Sequence, residues 1–266
     1  MSPIRAISFD LWETLITDTP ELSRQQERLR LTRMEEILRA HGHTHEATRI
    51  EHAYRALWSR CLELYWSDDR DIDCRVQIDH FLEALELDPR SFEESALADL
   101  EDAYATAAIE VPPAVVDGAP ELLRALKARG YSIGLISNTG RTPGYALRRI
   151  LETLGLAPFI DVMVFSNEHG ACKPQPSIFE ELRRNLGVAY DEMVFVGDNL
   201  YVDVHGAQRC GMRAIHFDPP TRGTAVAALV DHGLDIEPDA RVTRLADVLQ
   251  AIERMALEGG RMKDEE

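Results

Sequence analysis

The chain has 266 residues and a formal net charge of −17, because 46 acidic side chains stand against 29 basic ones. This charge argues against a nucleic-acid partner or an anionic membrane, although a bound metal ion would still allow a phosphorylated substrate. The four cysteines show no CxxC spacing, and no signal peptide or membrane-spanning run is evident, so we expect a reduced, cytoplasmic protein without membrane contact.

A short buried strand is predicted at the start of the chain. Residues 4–9 are mostly apolar and end at the carboxylate of Asp10, and Thr14 follows four positions later. In open α/β sheets the reacting groups lie at the carboxyl ends of strands. Asp10 is therefore a candidate nucleophile that would take a group as an ester or acyl phosphate. Its alternative role is to cap the turn that follows.

The next part of the chain is predicted to be entirely helical. Apolar side chains at helical spacing predict helices over residues 22–40, 46–66, 75–85 and 91–109. No segment between Glu21 and Ile109 has the alternation of a strand. His41, His43 and His45 lie between the first two helices, where a loop that ends a helix is a simpler interpretation than a zinc site.

From Val115 onward, short apolar strands alternate with amphipathic helices. Strands are predicted over residues 131–136, 162–165, 193–196 and 212–217, and helices over 119–129, 144–154, 176–186, 202–210 and 245–257. This alternation predicts an α/β fold, a Rossmann-like parallel sheet with helices on both faces. We therefore expect a discontinuous core domain of residues 1–16 and 115–258, an inserted helical cap domain of residues 17–114, and a disordered tail at 259–266.

Polar side chains collect at the predicted strand ends of the α/β part. They are Asp10, Ser137, Asn138, Asp198 and Asp203, and Lys173 lies just before a helix. Carboxylates at neighbouring strand ends repel one another unless a cation lies between them. A hard divalent ion with oxygen ligands, most simply Mg²⁺, would remove this repulsion. Together with Lys173 and Ser137, it could hold a phosphoryl group for in-line attack by Asp10.

Four stretches in this order resemble the haloacid dehalogenase-like hydrolase superfamily, in its form with a helical cap after the first motif. They are Phe-Asp-Leu-Trp-Glu-Thr-Leu at 9–15, Leu-Ile-Ser-Asn at 135–138, Lys-Pro at 173–174, and residues 196–203. The resemblance covers about residues 4–217. It implies that Asp10 is the nucleophile, that Ser137 binds a substrate oxygen, and that Lys173 steadies the charge between nucleophile and substrate.

The resemblance also implies a magnesium site and several supporting residues. The ion would be bound by the side chains of Asp10 and Asp198 and by the main-chain carbonyl of Trp12. Asp203 would hold Lys173 or a metal-bound water. Further candidates complete the set: Thr14 and Asn138 for substrate contact, and Glu13 and Asn199 as supporting residues, with helix capping as the alternative for Asn199.

Trp12 is the one important departure from the phosphatases of this superfamily. They usually carry a second aspartate at this position as general acid and base, followed by glycine where this chain has Glu13. Indole cannot protonate a leaving group. The chain could therefore be a phosphatase with easy leaving groups or another acid such as Glu13, a 2-haloacid dehalogenase, a phosphonate-cleaving enzyme, or an idle domain that binds a ligand or partner.

Two of these interpretations are disfavoured by other residues. Metal-independent dehalogenases of the superfamily have serine in place of Asp198, and a phosphonate-cleaving enzyme needs an amine in the cap, whereas residues 21–109 contain no lysine. We therefore predict a magnesium-dependent hydrolase of a small phosphorylated metabolite, acting through an aspartyl-phosphate intermediate on Asp10. The idle binding module is the second interpretation.

Overall fold

A parallel six-stranded sheet forms the centre of the molecule. The structure is a computed structural model that describes residues 3–221 and 235–261, with side chains as far as Leu257. Its strands are β1 (Ala6–Phe9), β2 (Ile16–Thr17), β3 (Ala114–Val115), β4 (Ser132–Ser137), β5 (Val162–Phe165), β6 (Met193–Gly197), β7 (Arg213–Phe217) and β8 (Ala240–Val242). Six of them pair in parallel in the order β5-β4-β1-β6-β7-β8. The predicted parallel α/β sheet is confirmed.

The first strand lies in the middle of this sheet and is buried on both faces. All four residues of β1 are inaccessible to solvent; Ile7 and Phe9 pack in one hydrophobic cluster, whereas Ala6 packs in another. Two buried faces require a nearly continuous apolar strand, which is the pattern that the sequence has. The carboxyl end of β1 is therefore flanked by the ends of β4 and β6.

The residues between β2 and β3 form a helical layer. Its helices are α1 (Pro20–Ala40), α2 (Ala47–Leu64), α3 (Cys74–Ala84), α4 (Glu94–Ala105) and α5 (Ala107–Glu110). They have a hydrophobic cluster of their own, centred on Met34, Leu57, Phe81 and Leu100. This separate cluster agrees with an inserted cap, and the boundaries at 17 and 114 stay a prediction. The predicted fourth helix differs, since it begins at Glu94 and is interrupted at Thr106.

The chain enters and leaves the helical layer through a short two-stranded ribbon. β2 and β3 pair antiparallel, with Ile16 opposite Val115. The Gln26 side chain on α1 donates to Asp18 Oδ1 and to the Val111 carbonyl, both at 3.0 Å. It therefore ties the entering segment to the leaving one. The sequence did not predict this ribbon, because two residues a strand are too few to show an alternation.

The remaining helices cover the sheet. They are α6 (Ala119–Ala128), α7 (Gly144–Thr153), α8 (Ser166–His169), α9 (Pro176–Leu186), α10 (Gly206–Arg209) and α11 (Val248–Arg261). Helix α11 is described as far as Arg261, three residues into the predicted tail; the tail stays a prediction, and residues 262–266 lie outside the described part. The helix predicted over 202–210 is a π-helical turn, Leu200–His205, followed by α10. Within the described residues, no helix has the length and apolarity to cross a membrane.

Candidate active site

Asp10 lies where β1 ends, at the start of a tight turn. Its amide donates to the Val196 carbonyl at 2.9 Å, which continues the pairing with β6. The Leu11 carbonyl then accepts hydrogen bonds from the amides of residues 15 and 16. Glu13 has a φ of 61°, the left-handed conformation in which glycine is easiest. The turn brings Thr14 Oγ1 to 3.2 Å from Asp10 Oδ2, so Thr14 orients this carboxylate.

Lys173 joins the two carboxylates of Asp10 and Asp203. Its Nζ lies 2.5 Å from Asp10 Oδ1 and 2.7 Å from Asp203 Oδ1, and all three side chains are buried. Asn138 fixes the Lys173 main chain: its carboxamide accepts from the Lys173 amide at 2.8 Å and donates to the Lys173 carbonyl at 3.1 Å. The geometry thus gives Asn138 a positioning contact, and its predicted substrate contact stays a prediction.

Burial and charge set the protonation of this group. Burial raises the pKa of Asp10 to about 6; the Lys173 ammonium opposes this rise, and the Asp203 charge adds to it. Burial also lowers the pKa of Lys173, but the charges of Asp10 and Asp203 outweigh it and leave the pKa above its ordinary value. Lys173 therefore stays a cation, and it is the charge that makes a buried Asp10 carboxylate possible.

A third carboxylate, that of Asp198, approaches this group from the end of β6. Oxygen atoms of Asp10, Asp198 and Asp203 lie within 4.8 Å of one another. Three carboxylates and the one ammonium of Lys173 together leave an excess of negative charge within this group. A set of hard carboxylate oxygens fits Mg²⁺ or a similar hard divalent ion, so the residues present fit the metal that the sequence predicts. The predicted main-chain ligand at Trp12 lies in the turn directly after Asp10.

A histidine on β7 holds the main chain of Asp198. His216 Nε2 donates to the Asp198 carbonyl at 2.9 Å, and Arg241 donates to His216 Nδ1 at 2.7 Å. These two contacts select the neutral tautomer with its proton on Nε2. The sequence analysis missed His216, since a single histidine in an apolar strand has no signal other than its position near a strand end.

A glycine makes room for Asp203. A Cβ atom at Gly197 would lie 2.4 Å from Asp203 Cγ, so only glycine permits this packing. Asp203 Oδ2 accepts from the Asn199 amide at 3.0 Å, and Asn199 Oδ1 accepts from the amides of Tyr201 and Val202. Asn199 therefore caps the π-helical turn that carries Asp203, which is the alternative role considered for it. Asp203 contacts Lys173, as one of its two predicted roles requires.

The remaining predicted residues surround the nucleophile or lie near the ribbon. Ser137 is fully buried at the end of β4, the strand beside β1. The Trp12 side chain is partly buried and packs against the core cluster. Glu13 Oε2 accepts from Thr17 Oγ1 at 2.9 Å, so this carboxylate is bonded to the ribbon. His43 stacks on Phe92, and no metal-binding group of side chains that includes it occurs among the described residues.

The fold and these strand-end residues define a class of hydrolase. The family model for haloacid dehalogenase-like hydrolases matches residues 4–211, and the chain belongs to this family. The predicted family resemblance is confirmed.

Alignments with similar proteins cover most of the chain. A glyceraldehyde 3-phosphate phosphatase of Pyrococcus furiosus is 30% identical over 256 residues, which cover 96% of this chain and 95% of the relative. A ribulose-1,5-bisphosphate 5-phosphatase of Halopiger xanaduensis is 30% identical over 65% of this chain and 71% of the relative. Among solved structures, a 2-haloacid dehalogenase from Pseudomonas syringae superposes with a TM-score of 0.67 at 23% identity, covering 95% of this chain and 99% of that structure. This last likeness shows the shared fold.

Replacement of Lys173 by methionine tests the charge balance. The variant keeps Asp10 and Asp203 buried without their cation, so the pKa of Asp10 should rise above its present value of about 6. A carboxyl group whose folded-state pKa exceeds its unfolded value stabilises the fold only while it is protonated. Lys173→Met should therefore lose stability as pH rises from about 4 to about 8, reaching a deficit of about 3–5 kcal/mol relative to the wild type. Urea unfolding in metal-free buffer measures this.

Lys127→Met is the matched control. Lys127 forms a surface ion pair with Asp161 at 2.7 Å and is one-third exposed. Such a pair contributes about 0–1 kcal/mol, so this variant should keep the wild-type pH profile. Equal pH dependence in the two variants would show that Lys173 does not balance the buried carboxylates.

Proposed function

We propose that this chain is a phosphatase: a magnesium-dependent hydrolase of a small phosphorylated metabolite that forms an aspartyl phosphate on Asp10. The observation that carries the proposal is the Asp10 carboxylate at the centre of the sheet. One of its oxygens is bonded to Lys173 and the other to Thr14, and two more carboxylates lie beside it. Relatives at 30% identity that bear the names of phosphatases support the same reaction class.

In the first step, a carboxylate oxygen of Asp10 attacks the phosphorus in line. A bond forms between Asp10 and phosphorus, and the ester bond to the leaving oxygen breaks with its electron pair. The proposed role of Lys173 is to balance negative charge between Asp10 and the phosphoryl oxygens, while Ser137 donates to one of those oxygens. Magnesium, held by Asp10, Asp198 and the Trp12 carbonyl, would neutralise phosphoryl charge when bound.

In the second step, water attacks the phosphorus of the acyl phosphate. The bond between phosphorus and the Asp10 oxygen breaks, and inorganic phosphate leaves with the carboxylate regenerated. Thr14 and Lys173 hold the same two Asp10 oxygens before and after this cycle. Asp203 keeps the ammonium of Lys173 in place, and Asn138 keeps its main chain in place.

Trp12 leaves the proposed reaction without a general acid at position 12. Proton donation by a positioned acid contributes about 10²–10⁴ to a rate, and an indole cannot supply it. Glu13, the nearest alternative acid in sequence, is bonded to Thr17 on the ribbon. We infer that the enzyme favours phosphoryl compounds whose leaving groups need little protonation, such as acyl phosphates. The same residue supports the second candidate, a domain that binds a ligand without turnover.

Removal of the nucleophile is the direct test of the function. Asp10→Asn should lower phosphate release from acyl and aryl phosphates by more than about 10³-fold, since a nucleophile acts as a unit with its site. Asp99→Asn removes the same charge from an exposed position on α4 and should keep wild-type turnover. Near-normal activity in Asp10→Asn would mean that the chemistry lies elsewhere. A wild type inactive across the whole screen would favour the binding module.

The metal is tested by calorimetry without any turnover. Asp198→Asn should weaken magnesium binding about tenfold or more, because a neutral amide oxygen replaces a charged ligand. The Asp99→Asn variant again serves as the control and should bind like the wild type. Identical magnesium affinity in wild type and Asp198→Asn would remove Asp198 from the proposed site.

The role of Trp12 is tested by the leaving group. Wild-type rates should fall steeply as the pKa of the leaving alcohol rises, and Trp12→Asp should flatten that dependence, with the largest gain, up to about 10²-fold, on alkyl phosphates. The measurement is kcat/KM over a series of aryl and alkyl phosphates. A wild type that hydrolyses alkyl and activated aryl phosphates equally fast must have another acid, and Glu13→Gln would then identify it.

A further inference from the structure

The cap loop that joins α2 to α3 contacts the core at a place apart from the β2–β3 ribbon. Asp71 lies in this loop and is only 7% exposed. Its carboxylate accepts hydrogen bonds from both sides of the interface. Within the loop, Oδ1 accepts from Trp66 Nε1 and from the Ile72 amide, both at 2.8 Å. From the core, Oδ2 accepts from the hydroxyls of Thr139, at 3.0 Å, and Ser166.

The two core hydroxyls lie beside the candidate active site, Thr139 in the loop after β4 and Ser166 at the start of α8. Thr139 comes two residues after Ser137, and Ser166 directly follows β5. The Thr139 amide donates to Ser166 Oγ at 2.8 Å, so the loop after β4 and the start of α8 are already joined within the core. Asp71 completes this network from the cap. It therefore contacts the segment that contains both Ser137 and Asn138.

Main-chain pairing connects the same cap loop to Lys173. Residues 69–71 run antiparallel to residues 170–172: the Cys172 amide donates to the Asp69 carbonyl at 2.8 Å, and the Asp71 amide donates to the Gly170 carbonyl at 3.2 Å. Lys173 is the next residue of the chain, and Asn138 holds its main chain. The cap loop thus contacts the Lys173 segment on one side and the Asn138 segment on the other.

The Asp71 carboxylate suits a contact between the cap loop and the core that can form and break. A carboxylate has lone pairs for the four donors that it meets here. If the cap moves away, Asp71 and the two core hydroxyls exchange their mutual bonds for bonds to water, so the net loss is modest. A buried apolar contact of equal area would give no such compensation.

We propose that Asp71 is a positioning residue of the active site. Through Thr139 and Ser166 it holds the loop after Ser137, and through its own main chain it holds the segment that ends at Lys173. The seated cap loop thereby adds to the contacts of Asp203 and Asn138 that keep the Lys173 ammonium within reach of Asp10. The effect on turnover rests on the proposed phosphatase function, whereas the seating of the loop does not.

Hydrogen exchange tests the seating without any substrate. Asp71→Ala removes the hydrogen bonds from Thr139 and Ser166. Their loss should shift the equilibrium about 30-fold from the loop in contact with the core toward the loop apart from it. In Asp71→Ala, exchange of the amides of Cys172 and of residue 71 should accelerate by about that factor, while β1 stays protected. Thr139→Val should give a smaller acceleration and add nothing in the Asp71→Ala background. Unchanged exchange in Asp71→Ala, or full additivity of the two changes, would overturn the proposal.

Kinetics then test the positioning role. With an activated aryl phosphate, Asp71→Ala should lower kcat about tenfold and change KM less than about twofold, because the contact acts on the Lys173 that meets the transition state. Asp71→Asn should recover most of the rate, since a carboxamide accepts from Trp66 and Ile72 and donates to the hydroxyl oxygens. A loss of kcat in Asp71→Asn equal to that in Asp71→Ala would count against the proposed hydrogen bonds.

Asp73→Asn is the matched control. Asp73 is exposed in the same loop and makes no capping hydrogen bond to α3, so its replacement removes one charge without touching the core. This variant should behave like the wild type in both measurements; a comparable loss there would assign the effect to charge. If the wild type hydrolyses no phosphate, the proposed function fails, and the exchange experiment still decides whether Asp71 seats the loop.

Discussion

The ion pair of Lys173 with Asp10 and Asp203 is the interaction on which the site depends. All three side chains are buried, and each charge would be costly without the others. Almost every other contact of the site maintains this group. Asn138 fixes the lysine main chain, Gly197 gives Asp203 its space, and Asn199 caps the turn from which Asp203 projects. Much of the local sequence is therefore explained by one ammonium group and two carboxylates.

The sheet makes this arrangement possible because it brings distant segments together. Asp10, Ser137 and Asp198 each lie at the carboxyl end of a strand or directly after it, and β1 lies between β4 and β6. Parallel strands place all of these ends at one edge of the sheet, where loops can approach a ligand without disturbing the core. The helical layer contacts the same edge through the loop that contains Asp71. The body of each strand thus packs in the core, and its carboxyl end holds the polar residues of the candidate site.

Local patterns predicted most of the fold and the central residues of the site. Strands such as Val162–Phe165 and helices such as Pro176–Leu186 have the predicted bounds, because their apolar spacing and flanking residues are clear. The β2–β3 ribbon and β8 were missed, since each is a short strand defined by a pairing partner elsewhere in the sequence. The π-helical turn was missed because its spacing resembles that of an ordinary helix. Asp71 and His216 were missed for the same reason: nothing next to them in sequence shows which loop or carbonyl they meet.

The position of β1 also has a consequence for the order in which the protein is made. Ile7 pairs with Ile133 on one side and with Val194 on the other, and the whole helical layer is encoded before either partner. During synthesis, this fully buried strand therefore leaves the ribosome long before the strands that pair with its two edges are made. The helical layer, which has a hydrophobic cluster of its own, contains mostly local contacts that form early. The inserted helices can thus bury apolar surface against one another before either neighbour of β1 has been made.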